Sequence, residues 1–254
     1  MNYKNRKESS DIMPFNSKKK IMFSCVFFTL LMLIFTKHIS IANRKNSINI
    51  TASPMANIVN KDKDKHTSLK KYYIVLDPGH GGIDKGTSYG NMEEKNITLK
   101  IAKYAKTYLS SKGNVVFLTR EEDKLLGLDE IGDIVNSSCA DAFVSIHVNS
   151  LNDKNFKGIT TLYYDVNGYQ EEERIKLANA IEKECVKSDN WESEGIRKQN
   201  LAVLRYSKIP GVLVECGFIT NAEDRKRLSD EKVLKTLAQN ISNGIINYLN
   251  ESGR

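Results

Sequence analysis

Beyond residue 70 the chain holds two histidines, and each stands where a metal ion would be served. His80 follows a strand-like run and is ringed by glycines, in Ile74-Val75-Leu76-Asp77-Pro78-Gly79-His80-Gly81-Gly82. His147 ends a second apolar run, Ala142-Phe143-Val144-Ser145-Ile146-His147. Glu94 comes shortly after the glycine-rich turn, and Glu215 sits in a third run, Val212-Leu213-Val214-Glu215-Cys216. Imidazoles and carboxylates in these places point to a hydrolytic zinc site.

Each residue also has a structural reading. Gly79, Gly81 and Gly82 let the backbone bend sharply around His80, which argues against a packed core histidine there. His147 alone reads equally well as a core histidine with its hydrogen bonds satisfied. Glu94, next to Glu93, reads also as an acid stabilising a helix N-terminus. Glu215 is the sharpest case, because a carboxylate inside an apolar strand is costly to bury unless it is paired or near a metal. No ion-pair partner for it is evident in the sequence.

The elements that position these residues follow from periodicity. Tyr72 to Asp77, Asn114 to Thr119, Ala142 to His147 and Gly211 to Cys216 read as strands, the last of them central. Gly158 to Tyr164 reads as an edge strand, and Leu201 to Leu204 as a short one. Glu93 to Lys112, Leu125 to Cys139, Glu171 to Lys187 and Asp230 to Leu249 read as helices, with Asn221 capping another short helix. Strands alternating with helices predict an α/β three-layer domain with a mostly parallel central sheet flanked by helices. Ligands of such sheets gather at the carboxyl ends of the strands, which is where His80, His147 and Glu215 fall.

The formal charge of +7 is unevenly spread. Residues 1–71 carry 14 Lys and Arg against 4 Asp and Glu, whereas residues 72–254 carry 24 against 27. The second part has no basic excess, so nucleic acid is not an expected partner. Residues 1–20 form a basic cytoplasmic lead. Residues 21–36 (IMFSCVFFTLLMLIFT) are an apolar run that serves as signal anchor or signal-peptide core, with cleavage after Ala42 as the alternative to retention. Residues 37–71 are polar and basic and read as a flexible linker. The expectation is export, with membrane attachment through the N-terminal segment and a catalytic domain over residues 72–254. Cys139, Cys185 and Cys216 show no paired spacing and read as small buried hydrophobes. Cys216 and Glu215 alternate to opposite strand faces, which argues against a cysteine nucleophile.

The segments Leu76-Asp77-Pro78-Gly79-His80-Gly81-Gly82, Glu94-Lys95-Asn96, Leu118-Thr119-Arg120, Ser145-Ile146-His147-Val148-Asn149 and Val214-Glu215-Cys216-Gly217-Phe218-Ile219-Thr220-Asn221 resemble, in order, the zinc-dependent N-acetylmuramoyl-L-alanine amidases of the type 3 family. The resemblance implies a peptidoglycan hydrolase that cleaves the amide between the lactyl group of N-acetylmuramic acid and L-alanine. It implies Zn²⁺ as cofactor, His80, Glu94 and His147 as its ligands, and Glu215 as the catalytic acid and base. An apolar N-terminal segment before the domain is similar to the germination-specific amidases of spore-forming bacteria, which make muramic δ-lactam in the spore cortex. An accessory activating protein is left open as a partner.

Asn149 is a candidate for substrate binding or for capping the strand end. Arg120 is a candidate for pairing with a substrate carboxylate or for a structural ion pair. Asp77 and Asp84 are expected to shape the loop, with an aspartate bond to His80 conceivable. The chain departs from the family pattern at Ile131, where an arginine is usual. The connection between Asn149 and Gly158 is short, so the site is expected to be open. Two competing readings are a catalytically silent peptidoglycan-binding or scaffold protein and a zinc peptidase acting on cell-wall peptides.

Overall fold

Four strands run parallel in the computed structural model, which describes residues 70–253. They are β1 (Tyr73–Pro78), β4 (Val115–Leu118), β5 (Ala142–Asn149) and β8 (Gly211–Phe218). β6 (Ile159–Tyr163) pairs antiparallel with β8, and β7 (Ser193–Lys198) pairs parallel with β6. The order across the sheet is β4-β1-β5-β8-β6-β7, and β2 (Ser88–Tyr89) and β3 (Met92–Glu93) form a separate small hairpin. The helices are α1 (Glu94–Ser111), α2 (Leu128–Ser137), α3 (Glu171–Cys185), α4 (Ala202–Arg205), α5 (Ala222–Ser229) and α6 (Glu231–Glu251).

β1, β5 and β8 are inner strands of the sheet, and their sequences are near-continuous apolar runs. A parallel strand covered on both faces demands that composition. Ile74, Leu76, Val144, Ile146, Val212 and Val214 pack on one face in a core shared with α1, α3 and α6. Val75, Phe143 and Leu213 point to the other face, in a smaller core with Val135 of α2 and Val203 and Leu204 of α4. The three expected layers are present, and the layer over the second face is thin.

Glycine sets how closely two of the helices approach. A Cβ built on Gly244 of α6 would lie 2.5 Å from the Ile181 Cα of α3. α5 starts as expected, with the Asn221 side chain accepting from the Glu223 and Asp224 N–H groups at 2.9 and 3.1 Å.

Several expectations need correction. Leu201 to Leu204 is not a strand: residues 202–205 form the single turn α4. Four apolar residues suit a strand or one helical turn equally, and buried Arg174 favours the turn by donating to the carbonyls of Leu204, Ser207 and Ile209 at 3.0, 2.7 and 3.1 Å. β6 is not an edge, because β7 covers it. β7 (SEGIRK) is polar and only partly buried, so it lacks the apolar signature of a central strand. The second helix begins at Leu128 rather than Leu125. Cys139 is exposed, in a turn with φ 52°, while Cys185 and Cys216 are buried as expected. The expected lead, apolar run and all but the last two residues of the linker lie outside the described residues. Among the described residues no helix is long and apolar enough to cross a membrane.

Gly244→Val tests the helix contact. Overpacking of this kind costs about 1–3 kcal/mol, so the urea midpoint should fall with the slope unchanged. An unchanged midpoint would mean that α3 and α6 separate freely.

Candidate metal centre

Three adjacent strands deliver the site. β1 ends at Pro78 and leads into the turn at His80, which has φ 64°. His147 of β5 and Glu215 of β8 are direct partners in the sheet register, so their side chains share a face. Glu94 is the first residue of α1, and β1, β5 and α1 thus meet at one point. One ligand atom from each of His80, Glu94 and His147 lies within 4.8 Å of the others.

Glu94 is the hub. Its Oε1 lies 2.9 Å from His147 Nδ1 and accepts the Val148 N–H at 2.9 Å. Its Oε2 lies 3.2 Å from His80 Nε2 and accepts the Thr87 N–H at 2.8 Å. The other ring nitrogen of His80 is 2.8 Å from Asp84 Oδ2, and the second Asp84 oxygen accepts from the Gly86 N–H at 3.0 Å. The two rings stand edge to face at 4.9 Å.

These contacts set the electrostatics. Glu94 raises His80 from 6.5 to about 9, with burial opposing and Asp84 assisting. For His147 burial pulls downward, but Glu94 and Glu215 outweigh it and the net direction is up. Burial pushes Glu94 upward, and its bonds to His147, His80 and the Val148 N–H outweigh that and hold it at about 2. The cluster therefore favours positive charge at its centre. A divalent cation would satisfy the same demand that protons on the imidazoles meet otherwise.

Glu215 behaves oppositely. Burial raises its carboxyl to about 7, with His147 pulling down and Glu94 pushing up. Its Oε2 is buried and has no hydrogen-bond partner among the described residues. An orphaned carboxylate beside two imidazoles and a second carboxylate is the donor set that fits a zinc ion with a bound reactant.

The loop around His80 is held from behind. Arg120 is buried and donates to the carbonyls of Pro78, Gly79, Lys95 and Glu122 at 2.8, 3.0, 2.9 and 3.0 Å, and to Thr98 Oγ1 at 3.3 Å. Arg120 thus ties the loop to α1 through main-chain carbonyls, and it makes no ion pair with an acid among the described residues. Lys95 Nζ donates to the Gly82 carbonyl at 2.8 Å and to Asp123 at 2.7 Å, and Asp123 accepts the Gly82 N–H at 2.7 Å. Asp77 lies beneath the site and accepts the Thr119 and Ser145 hydroxyls at 2.6 and 2.7 Å. Asp84 shapes the loop and bonds His80. Asn149 takes the Ser150 N–H on its side-chain oxygen at 2.7 Å.

The pairing of Lys95 with Asp123 was not anticipated. Its signal was a lysine in the first turn of α1, where a base opposes the helix dipole and needs a local reason.

Known proteins show the same arrangement of chain. The profile of the family described as N-acetylmuramoyl-L-alanine amidase matches residues 74–247. A probable cell wall amidase, LytH of Staphylococcus epidermidis, is 38% identical over 183 residues, covering 71% of this chain and 59% of the relative. The N-acetylmuramoyl-L-alanine amidase LytC of Bacillus subtilis is 35% identical, over 69% of this chain and 35% of that protein. The chain thus spans well under two thirds of the length of these relatives. Among solved structures, an N-acetylmuramoyl-L-alanine amidase from Clostridium difficile superposes with TM-score 0.67 at 34% identity, covering 72% of this chain and 98% of that one. The CwlD amidase from Clostridioides difficile, solved in complex with the GerS lipoprotein, gives TM-score 0.66 at 31% identity, covering 71% and 99%.

Gly79 supplies a test of the site geometry. A Cβ there would lie 2.3 Å from the His147 ring. Gly79→Ala should displace the imidazole and weaken zinc affinity, read by chelator competition, while the urea midpoint moves little. Asp84→Ala, which removes the bond to His80, should weaken zinc affinity about 10–100-fold. Wild-type affinity in both variants would contradict the assignment of this cluster as a metal site.

Proposed function

The chain belongs to the N-acetylmuramoyl-L-alanine amidase family, and on that premise we propose that it is a zinc-dependent hydrolase of peptidoglycan. The bond cut is the amide between the lactyl group of N-acetylmuramic acid and L-alanine of the stem peptide. The observation that carries this reading is the unpartnered Glu215 carboxyl beside the His80, Glu94 and His147 cluster.

His80, Glu94 and His147 would hold the zinc. When bound, the ion supplies Lewis acidity and makes water a better nucleophile near neutral pH. Glu215 does the proton work. It takes a proton from water as the oxygen attacks the lactyl carbonyl. It then returns that proton to the alanine nitrogen as the C–N bond breaks. The products are a lactyl carboxylate on the sugar and a peptide with a free amine.

Finer points belong to the same proposal. Asn149, two residues beyond His147 on β5, donates its amide to substrate. Residues 21–36 export the domain and hold it at the membrane or release it to the wall, so catalysis is extracytoplasmic. The substrate is spore cortex, where the cut leads to muramic δ-lactam, as the sequence resemblance suggests. The likeness to an amidase solved with a lipoprotein partner supports an accessory protein for this chain too.

Digestion of purified peptidoglycan separates the readings. The wild-type protein should release peptides beginning with free alanine and leave lactyl carboxylates on the glycan, by mass spectrometry. Glu215→Gln should be at least about 100-fold slower with zinc content unchanged. Chelation should abolish activity and zinc should restore it. Cleavage between amino acids would instead indicate a peptidase, and binding without products a silent wall protein.

A further inference from the structure

Resting on the amidase reading, we propose that the apolar groove beside the metal cluster is the subsite for the muramoyl half of the substrate, with Leu128 and Ile131 as its specificity-determining residues. The groove encloses about 390 Å³ and is continuous with the site: Gly79, His80 and His147 line one end. Leu125, Leu126, Leu128, Ile131 and Leu201 also line it. Leu125 and Leu128 are 43% and 49% exposed, so two large apolar side chains are left in water beside the reactive groups. Such a patch at the mouth of a catalytic pocket is a contact surface for ligand.

Charge decides which half of the substrate it takes. The charged groups of the wall are largely engaged. Arg120 donates to four main-chain carbonyls and to Thr98. Asp77 accepts two hydroxyls, and Asp84 is bound to His80 and Gly86. An anionic group seated against Leu128 and Ile131 would lose water with two carboxylates, Asp77 and Asp84, lining the same cavity. The stem peptide beyond alanine carries carboxylates. The acyl side of the scissile bond is uncharged: a lactyl methyl, the face of a pyranose ring and an acetamido methyl. The muramoyl half therefore lies over the apolar wall, and the peptide departs away from it.

The test uses the full-length chain with Leu128→Gln and Ile131→Gln, each checked for folding by its urea midpoint. Leu128 is half-exposed, so its substitution leaves the fold intact. The substrate is N-acetylmuramoyl-L-alanyl-D-isoglutamine, and the inhibitors are N-acetylmuramic acid and L-alanyl-D-isoglutamine. The KM should rise about tenfold while kcat stays within about twofold. The inhibition constant of N-acetylmuramic acid should rise with the KM, and that of the dipeptide should not move. An unchanged KM in both variants, or weakened inhibition by the dipeptide instead, overturns the subsite while leaving the amidase reading in place. A wild-type protein that cannot release the dipeptide overturns both.

Discussion

A single buried carboxylate organises this molecule's working end. Glu94 is 3% exposed, and each of its oxygens meets one imidazole and one main-chain N–H. Those four contacts tie the turn after β1, the end of β5 and the start of α1 to one point. A carboxylate taken out of water must be matched in this way, or the fold would lose several kcal/mol. The glycines around His80, the left-handed backbone at that histidine and the grip of Arg120 on the turn all serve to bring the imidazole to Glu94.

Glu94 and Glu215 are the same chemical group in opposite surroundings. Glu94 is surrounded by donors and stays ionised, held at about 2. Glu215 is partly buried, its Oε2 lies out of water without a hydrogen-bond partner among the described residues, and its carboxyl rises to about 7. Environments that push two neighbouring acids apart in this way separate an electrostatic role from a proton-transfer role. The sheet register makes the separation compact, because Glu215 pairs directly with His147.

Much of the site was legible in the sequence because its residues are misplaced by ordinary folding standards. A histidine among glycines, a histidine at the end of an apolar strand and a glutamate inside one each ask for a reason, and the structure brings His80, His147 and Glu215 together. Residues that follow ordinary rules were harder to read. β7 is polar because it lies at an edge, so nothing marked it as a strand, and β6 was misjudged as the edge in consequence. Leu201 to Leu204 carries too few residues for periodicity to choose between strand and turn. For Arg120 the sequence leaves a substrate carboxylate and a structural ion pair open, and the contacts it makes are with carbonyls of Pro78, Gly79 and Lys95, whose convergence depends on tertiary structure. Leu125, Leu128 and Ile131 fell within one expected helix with nothing to mark them for the site, and only the fold shows that they line the same cavity as the histidines.

The central claim is that His80, Glu94 and His147 grip one metal ion beside Glu215. Anomalous diffraction at the zinc edge, from crystals of protein loaded with zinc, addresses it directly. The account predicts one strong peak within bonding distance of all three side chains, with the Glu215 carboxyl facing it. A zinc-loaded crystal with no peak there, or with the ion bound elsewhere while these three side chains keep their direct contacts, would contradict it.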